Sequence, residues 1–205
     1  NKWFVDHNNS YPGYYQDYNC GERTVDYTNG INHEGTDYDL APFPWKMMAE
    51  GDVEIVAAHD GLILMKQDGF QDTNCGGNSW DMYNWNGVII QHSDLSILEY
   101  IHMSNGSVTN KNIGDWVEQG EYLGLVGSSG WSNRPHIHFA FYSEPGWTSD
   151  LVIDPYSGEC DSSSYWINQN PYYDPAILRV MTHSSPPEQQ ECPQPTLTHE
   201  KNIFE

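Results

Sequence analysis

Short apolar runs, separated by turns rich in glycine, are the feature that most limits how this chain can fold. Apolar and polar residues alternate in several of these runs, as they do in strands, and no stretch has a convincing helical period of 3.6 residues. We expect a turn at Asp60-Gly61 that joins the first two runs as a hairpin. The runs predict strands in an all-β fold, an antiparallel β-sheet sandwich, and they lie at residues 53–58, 62–65, 88–92, 97–103, 117–121 and 122–127.

Composition and charge narrow the class of protein. The 14 tyrosines, 8 tryptophans, 18 glycines and 12 prolines favour short strands and structured loops. The chain carries 29 acidic and 8 basic residues, for a net charge of −21. Because such a surface repels phosphate groups, we expect neither nucleic acid nor an anionic membrane as a partner. No apolar run approaches the ~20 residues that a membrane-spanning helix needs.

Four widely spaced cysteines indicate the compartment. Their spacing does not suit a zinc knuckle, and in an acidic, aromatic-rich chain they indicate two disulfides. Of the three possible pairings we favour Cys20–Cys75 and Cys160–Cys192, which close the smaller loops. Free thiols in a cytosolic protein are the alternative. The chain begins at Asn1 without a signal-like segment, so we expect the mature form of a secreted or periplasmic protein.

A histidine pair and two further histidines are the strongest indication of catalytic chemistry in the sequence. His136 and His138 are separated by one residue, so in a strand both point to the same face, roughly 7 Å apart. Far upstream, His33 and Asp37 lie four residues apart with a glycine between them, which favours a loop or a strand edge over a helix. His102 ends another apolar run. Three imidazoles and a carboxylate are the parts of a catalytic zinc site, although ordinary structural histidines are the alternative for each motif alone.

Taken in order, these motifs resemble those of a known family. The segments His33-Glu34-Gly35-Thr36-Asp37, Tyr100-Ile101-His102-Met103 and His136-Ile137-His138-Phe139 are similar to the three motifs of the lysostaphin-like (M23) zinc metallopeptidases. Residues 113–124 resemble a glycine-containing stretch of the same family. The resemblance covers about residues 24–157. It implies a β-sheet core with an active-site groove and endopeptidase activity on peptidoglycan.

The resemblance also implies a role for each site residue. His33, Asp37 and His138 would be the ligands of one Zn²⁺ ion, with an open position for water. His102 and His136 would be catalytic residues beside that water. One of them would be the general base, and the other would stabilise the oxyanion or protonate the leaving amine. Which histidine has which role stays open.

One position departs from the family pattern. The family usually has Ser/Thr-Gly-x before the histidine pair, whereas Asn133-Arg134-Pro135 stand here. Arg134 is one of only 8 basic residues, and its place at the edge of the site leaves two alternatives. It either contacts a carboxylate of the substrate or pairs with a nearby acidic residue.

The family core ends near Tyr156, where the composition changes. We predict a catalytic domain over residues 1–157 and a loop-rich C-terminal extension over residues 158–205, tethered by the Cys160–Cys192 disulfide. The extension is rich in serine, glutamine and proline. Within the extension, only residues 175–181 resemble a helical segment.

The family suggests the substrate. We expect a monomer that cleaves glycine-containing cross-bridges of peptidoglycan, with Gly-Gly bonds preferred. Direct D-Ala–diaminopimelate cross-links are the runner-up, and glycine-rich proteins such as elastin are a further possibility. Two other functions stay open: an inactive family member that regulates cell-wall hydrolases, and a β-sandwich that binds glycans. The first would normally have lost metal ligands, whereas all five site positions are present here.

Overall fold

The computed structural model describes residues 33–76, 82–147, 151–157 and 164–169. These ranges contain eight strands and one short helix. In chain order the elements are β1 (Thr36–Asp39), α1 (Pro44–Glu50), β2 (Glu54–Val56), β3 (Gly61–Gln67), β4 (Gly87–Gln91), β5 (Ile97–Ile101), β6 (Trp116–Val117), β7 (Tyr122–Leu125) and β8 (His136–Tyr142). The predicted all-β class is confirmed.

The strands form two sheets. Six of them make one sheet in the order β1-β8-β5-β4-β3-β6, and β2 pairs with β7 in a second sheet. Every pairing between these strands is antiparallel. Strands β8, β5 and β4 lie in the middle of the large sheet, and β1 is one of its edges.

Both faces of the large sheet are covered at its centre. One face packs against the small sheet in a core that includes Ile55, Ile63, Ile90 and Leu123. A smaller cluster on the other face includes Ile89, which is 2% exposed. Because both faces are covered, β4 is apolar without alternation over residues 88–90. Each fully buried aliphatic side chain contributes about 1.5–3 kcal/mol to stability, so the middle of the sheet is a rigid support.

The predicted hairpin at Asp60-Gly61 is wrong, because β2 and β3 belong to different sheets. A Cβ on Gly61 would lie 2.5 Å from the Ile90 side chain, so this glycine permits close packing inside the large sheet. The Asp60 carboxylate accepts a hydrogen bond from the Gln119 amide at 2.5 Å. The segment therefore crosses between the two layers of the sandwich.

Helix α1 is an element that the sequence pattern does not reveal. Its seven residues complete too few turns for a period of 3.6 to stand out. Pro44 opens the helix and Gly51 caps it in the left-handed conformation, with a φ of 68°. These are the ordinary start and stop residues of a helix. Trp45 buries its ring and fixes the helix to the domain.

The described residues after β8 pack on the sheet. Trp166 lies with its ring centroid 5.8 Å from that of Phe139 and 5.7 Å from that of Tyr156. The Ile153 amide donates to the Phe141 carbonyl at 2.7 Å. The predicted boundary at residues 157/158 stays a prediction, and residues 175–181 lie outside the described residues. The helix of the described part is too short to cross a membrane.

Candidate active site

The pairing of β1 with β8 creates the centre of the site. Asp37 stands directly opposite His138 in this antiparallel pair. Residues opposite one another in an antiparallel pair share a face and have neighbouring Cβ atoms. His33 lies just before β1 and is also buried. The structure thus brings His138 together with two residues that lie about a hundred positions earlier in the sequence.

The three side chains converge closely enough to hold one metal ion. The ligand atoms of His33, Asp37 and His138 all lie within 4.8 Å of one another. Asp37 Oδ1 is 3.3 Å from His33 Nε2 and 2.9 Å from His138 Nδ1. In a tetrahedral zinc site with bonds of about 2.0–2.2 Å, ligand atoms are separated by about 3.3–3.6 Å. Two nitrogens and one oxygen are also the atom types that zinc accepts. The predicted ligand residues therefore fit zinc.

Gly35 leaves the space that the His138 ring needs. A Cβ at this position would lie 2.7 Å from both Cε1 and Nε2 of His138, and 2.8 Å from the Phe139 carbonyl oxygen. The first two atoms belong to the ring of a candidate ligand, and the third belongs to the backbone of β8. The glycine between His33 and Asp37 is thus required by a close approach of two strands at the site.

Asp37 is ionised at neutral pH although it is buried. Burial alone would raise its pKa, but hydrogen bonds from His138 and His33, and the charge of nearby histidines, hold the pKa well below the usual range. A buried carboxylate beside imidazoles is a strong attractor for a cation. The site therefore supplies one negative charge and two imidazole side chains.

His136 lies beside this cluster without belonging to it. Its Nε2 is 3.5 Å from Asp37 Oδ2, the oxygen that faces away from the shared contact point. Its Nδ1 donates to the Arg134 carbonyl at 2.7 Å. A carbonyl oxygen only accepts, so Nδ1 carries the hydrogen and Nε2 presents its lone pair toward the site.

His102 reaches the site through an unusual backbone conformation. It follows β5, and in a continued strand it would point to the same face as Tyr100, whose hydroxyl accepts a hydrogen bond from the Ala58 amide in the core. Instead His102 has a φ of 73°, which is uncommon for a residue other than glycine. Its ring centroid lies 4.6 Å from that of His136 and 5.9 Å from that of His138.

The tautomer of His102 is held in the same way. Its Nδ1 donates to the Ser129 carbonyl at 2.6 Å, which leaves the lone pair on Nε2. Burial, followed by the neighbouring charges of His136 and His138, lowers the pKa of His102 well below its ordinary value. Burial likewise lowers the pKa of His136. Both rings are therefore neutral at neutral pH and can accept a proton.

A groove of about 620 Å³ opens onto these residues. Its lining includes several aromatic residues and Glu99, which lies on β5 two residues before Ile101, the residue opposite His138. Burial and the neighbouring Glu34 raise the pKa of Glu99 to about 7, against a hydrogen bond from Tyr142 that lowers it. Among the described lining residues there is no lysine or arginine. The aromatic lining residues are Tyr83, Trp85, Trp131, Tyr142 and Trp147.

The remaining residues singled out in the sequence lie elsewhere. Arg134 forms a salt bridge with Asp39, with Nε–Oδ1 at 2.7 Å and Nη2–Oδ2 at 3.2 Å, which corresponds to the second of its two alternatives. Cys75 is disulfide-bonded. Cys20, Cys160 and Cys192 lie outside the described residues, so the pairing stays a prediction.

Three residues of the site carry no signal in the sequence. Glu99 stands in an apolar strand like any alternating polar residue, and Ser129 lies in a serine- and glycine-rich loop. Asn86 is the last residue before β4 and is fully buried. Only the three-dimensional contacts show that Ser129 accepts a hydrogen bond from the His102 ring and that Asn86 accepts one from the following amide.

Comparison with known proteins agrees with this geometry. A family model described as "Peptidase family M23" matches residues 32–151, which is more than half of the chain. The peptidoglycan DD-endopeptidase ShyC of Vibrio cholerae is 30% identical over 109 residues, covering 53% of this chain and 20% of that protein. The glycyl-glycine endopeptidase ALE-1 of Staphylococcus capitis is 32% identical over 111 residues, covering 54% and 25%. The chain thus spans about a fifth to a quarter of the length of these relatives.

Among solved structures, the catalytic domain of lysostaphin from Staphylococcus simulans is similar, with 21% identity and a TM-score of 0.44. The match covers 70% of this chain and 85% of that domain. The family match includes all five residues of the histidine and aspartate constellation. The chain belongs to peptidase family M23.

Proposed function

We propose that this protein is a secreted zinc metalloendopeptidase that hydrolyses peptide bonds in bacterial peptidoglycan, with a preference for glycine-containing cross-bridges. The convergence of His33, Asp37 and His138 beside two neutral, buried histidines is the observation that carries the proposal. The names of the relatives, which include a peptidoglycan endopeptidase and a glycyl-glycine endopeptidase, support the substrate class.

Zinc is the metal that suits the donor set best. Two imidazole nitrogens and one carboxylate oxygen form a three-ligand set of the kind found in catalytic zinc sites. When bound, zinc would supply Lewis acidity, which makes water a stronger acid near neutral pH and polarises a carbonyl group. Asp37 offsets one of the two positive charges, so the centre would stay net positive.

His102 and His136 are the residues that would move protons. Each donates Nδ1–H to a backbone carbonyl, which orients Nε2 with its lone pair free to accept a proton from water. The first to accept would become an imidazolium ion, and Asp37 lies 3.5 Å from His136 to stabilise that charge. The imidazolium ion can then pass that proton from Nε2 to the leaving amine. The other histidine would need a proton on its own Nε2 before it could hydrogen-bond the tetrahedral oxyanion.

The charge of the groove supports a neutral substrate. Glu34, Asp37 and Glu99 all line it, and the described lining residues include no lysine or arginine to balance them. A diaminopimelate cross-link brings carboxylates close to the scissile bond, whereas a glycine bridge brings only backbone. The absence of a Cβ also lets a glycine backbone approach closely. We therefore infer that Gly-Gly bonds are preferred and that D-Ala–diaminopimelate bonds are second.

Export and redox state are part of the same proposal. Cys75 is disulfide-bonded, which supports an oxidising compartment such as the cell exterior or the periplasm. The net charge of −21 supports a monomer that repels its own copies at low ionic strength.

Two measurements on the purified protein test the function. Metal analysis is expected to find one zinc per chain in the wild type and in His59→Ala, which changes an exposed histidine. Digests of pentaglycine-bridged and directly cross-linked cell walls are then compared, with products identified by mass spectrometry and with elastin as a third substrate. Release from the pentaglycine-bridged wall alone, or far faster from it, supports the glycine preference.

Other outcomes separate the parts of the proposal. Fragments from the directly cross-linked wall alone would refute the glycine preference and leave the zinc peptidase intact. Zinc without hydrolysis of any of the three substrates would favour an inactive family member. Glu99→Gln tests the charge argument separately. This variant should raise the rate on the directly cross-linked wall relative to the rate on the pentaglycine-bridged wall.

A further inference from the structure

His102 needs support that its own strand does not provide. Its left-handed φ of 73° is an unfavourable conformation for a side chain with a Cβ, and such conformations persist only where neighbouring groups hold them. The conformation turns the imidazole from the core face into the groove. The neighbours that hold it therefore determine whether the Nε2 lone pair faces the site.

Asn86 holds the backbone of Met103, the residue that follows His102. The Met103 amide donates to the Asn86 carbonyl at 2.9 Å, and Asn86 Nδ2 donates to the Met103 carbonyl at 3.2 Å. Both polar groups of Met103 are thus bonded to a single residue. Asn86 and Met103 are each 0% exposed, so water cannot replace these bonds without opening the core.

Asn86 is also connected to the residue that holds the His102 ring. Its amide donates to Ser129 Oγ at 2.8 Å, while the Ser129 carbonyl accepts from His102 Nδ1 at 2.6 Å. The chain continuing from His102 is held too, since the Gly127 amide donates to the His102 carbonyl at 3.0 Å. One buried asparagine thus links the backbone next to His102 with the acceptor of its ring.

The rest of the Asn86 side chain is anchored to a third segment. Its Oδ1 accepts from the Phe70 amide at 2.9 Å, and its Nδ2 donates to the Phe70 carbonyl at 2.9 Å. Every side-chain bond of Asn86 is therefore made to backbone. A carboxylate of the same shape could keep the first of these bonds but would lose both bonds that Nδ2 donates.

From these contacts we infer that Asn86 is a positioning residue for His102. Asn86 acts through the Met103 backbone and Ser129 to hold the imidazole in the groove with Nδ1 protonated. The inference rests on the proposed function, in which His102 moves a proton. Asn86 itself touches neither the metal ligands nor the groove. It acts by limiting where the His102 ring can lie.

The closing experiment uses Asn86→Ala, with Asn86→Asp as the isosteric variant and Val117→Ala as a control for lost stability. Val117 is fully buried in β6 at the other end of the sheet. We expect kcat to fall about 10–100-fold in both Asn86 variants, with KM within about twofold and zinc content unchanged. Val117→Ala, assayed at a temperature equally far below its melting point, should keep the wild-type kcat.

A double-mutant cycle isolates the path through His102. If Asn86 acts by positioning His102, then Asn86→Ala should lower kcat no further in the His102→Ala background. Full multiplication of the two effects would overturn the inference. The tautomer gives a readout independent of turnover: ¹⁵N spectra of histidine side chains should show His102 protonated on Nδ1 in the wild type and a tautomer mixture in Asn86→Ala.

An unchanged tautomer together with an unchanged kcat would also overturn the inference. Should Asn86→Ala fail to fold, Ser129→Ala carries the test, because it removes the acceptor of the Asn86 amide and keeps the carbonyl that holds His102. Failure of the wild type to bind zinc or to hydrolyse any substrate refutes the proposed function. The tautomer spectra still decide the positioning role in that case.

Discussion

Adding a single methyl group at Gly35 should displace the His138 ring and so disrupt the candidate metal site. In Gly35→Ala the new Cβ would lie 2.7 Å from two atoms of the His138 ring, while ordinary contacts begin at 3.4 Å. The ring must therefore move by about 0.7 Å. The Phe139 carbonyl oxygen, 2.8 Å from the new Cβ, belongs to a central strand, so the backbone there cannot easily give way instead.

The size of the effect follows from the narrow range of distances at which zinc binds its ligands. Ligand distances vary by only about ±0.2 Å, so a displacement of this size takes His138 out of bonding range. Disturbing outer contacts of a metal site already costs 10–100-fold in affinity, and we expect a loss of more than about 100-fold here. Overpacking should also lower the free energy of unfolding by about 1–3 kcal/mol.

Zinc affinity is measured by competition with a chromophoric chelator, and circular dichroism confirms that the variant is folded. Gly76→Ala is the matched control, because a Cβ at Gly76 meets no atom within 4 Å. It should bind zinc like the wild type. Affinity of Gly35→Ala within about threefold of the wild type would show that His138 is not a ligand, or that its ring has room which the structure does not show.

Three further predictions concern other parts of the molecule. His138→Ala should lose its zinc and all activity, whereas His102→Ala and His136→Ala should keep the metal and lose about 10²–10⁴-fold in kcat. If metal analysis found no zinc in folded His136→Ala, the roles of His136 and His138 would be reversed. The pKa of Glu99 is raised from an ordinary 4.5 to about 7 in the fold, so its stabilising effect is complete below about pH 4.5 and is lost as the pH rises through about 7. Glu99→Gln should therefore unfold at the same urea concentration as the wild type near pH 4 and be more stable at pH 8, and equal midpoints at both values would contradict this. The denatured, unreduced protein should react with no thiol reagent, and four reactive thiols would refute both disulfides and the argument for export.

The shared direction of the histidine pair could be predicted because strands translate spacing into direction, whereas the roles of His33, Asp37 and His102 follow from the resemblance to the M23 family. Alternation in β8 places His136 and His138 on one face, and the glycine between His33 and Asp37 favours a loop or strand edge over a helix there. The conformation of His102 could not be predicted, since its left-handed φ depends on Asn86 and Ser129, which are distant in sequence. Local patterns do not contain such contacts.

Errors in the fold have the same origin. The turn residues before β3 favour a hairpin, but β2 pairs with β7 and buries Ile55 in the core shared with Ile63 of the large sheet. Likewise Arg134 could be seen at the edge of the site, while its partner Asp39 became evident only from the register of β1 against β8. Side-chain partners that come from different strands require the tertiary structure.

The register that puts Asp37 opposite His138 also determines which parts of this enzyme can be redesigned. Inserting or deleting one residue within β1 would turn its side chains to the opposite face and carry the aspartate away from the groove. The long connection between β3 and β4 is restricted in another way, because it contains Phe70 and Asn86, whose hydrogen bonds support the backbone beside His102. Loop exchange in this connection must therefore keep both residues, and the length of the edge strand must be preserved in every chimera.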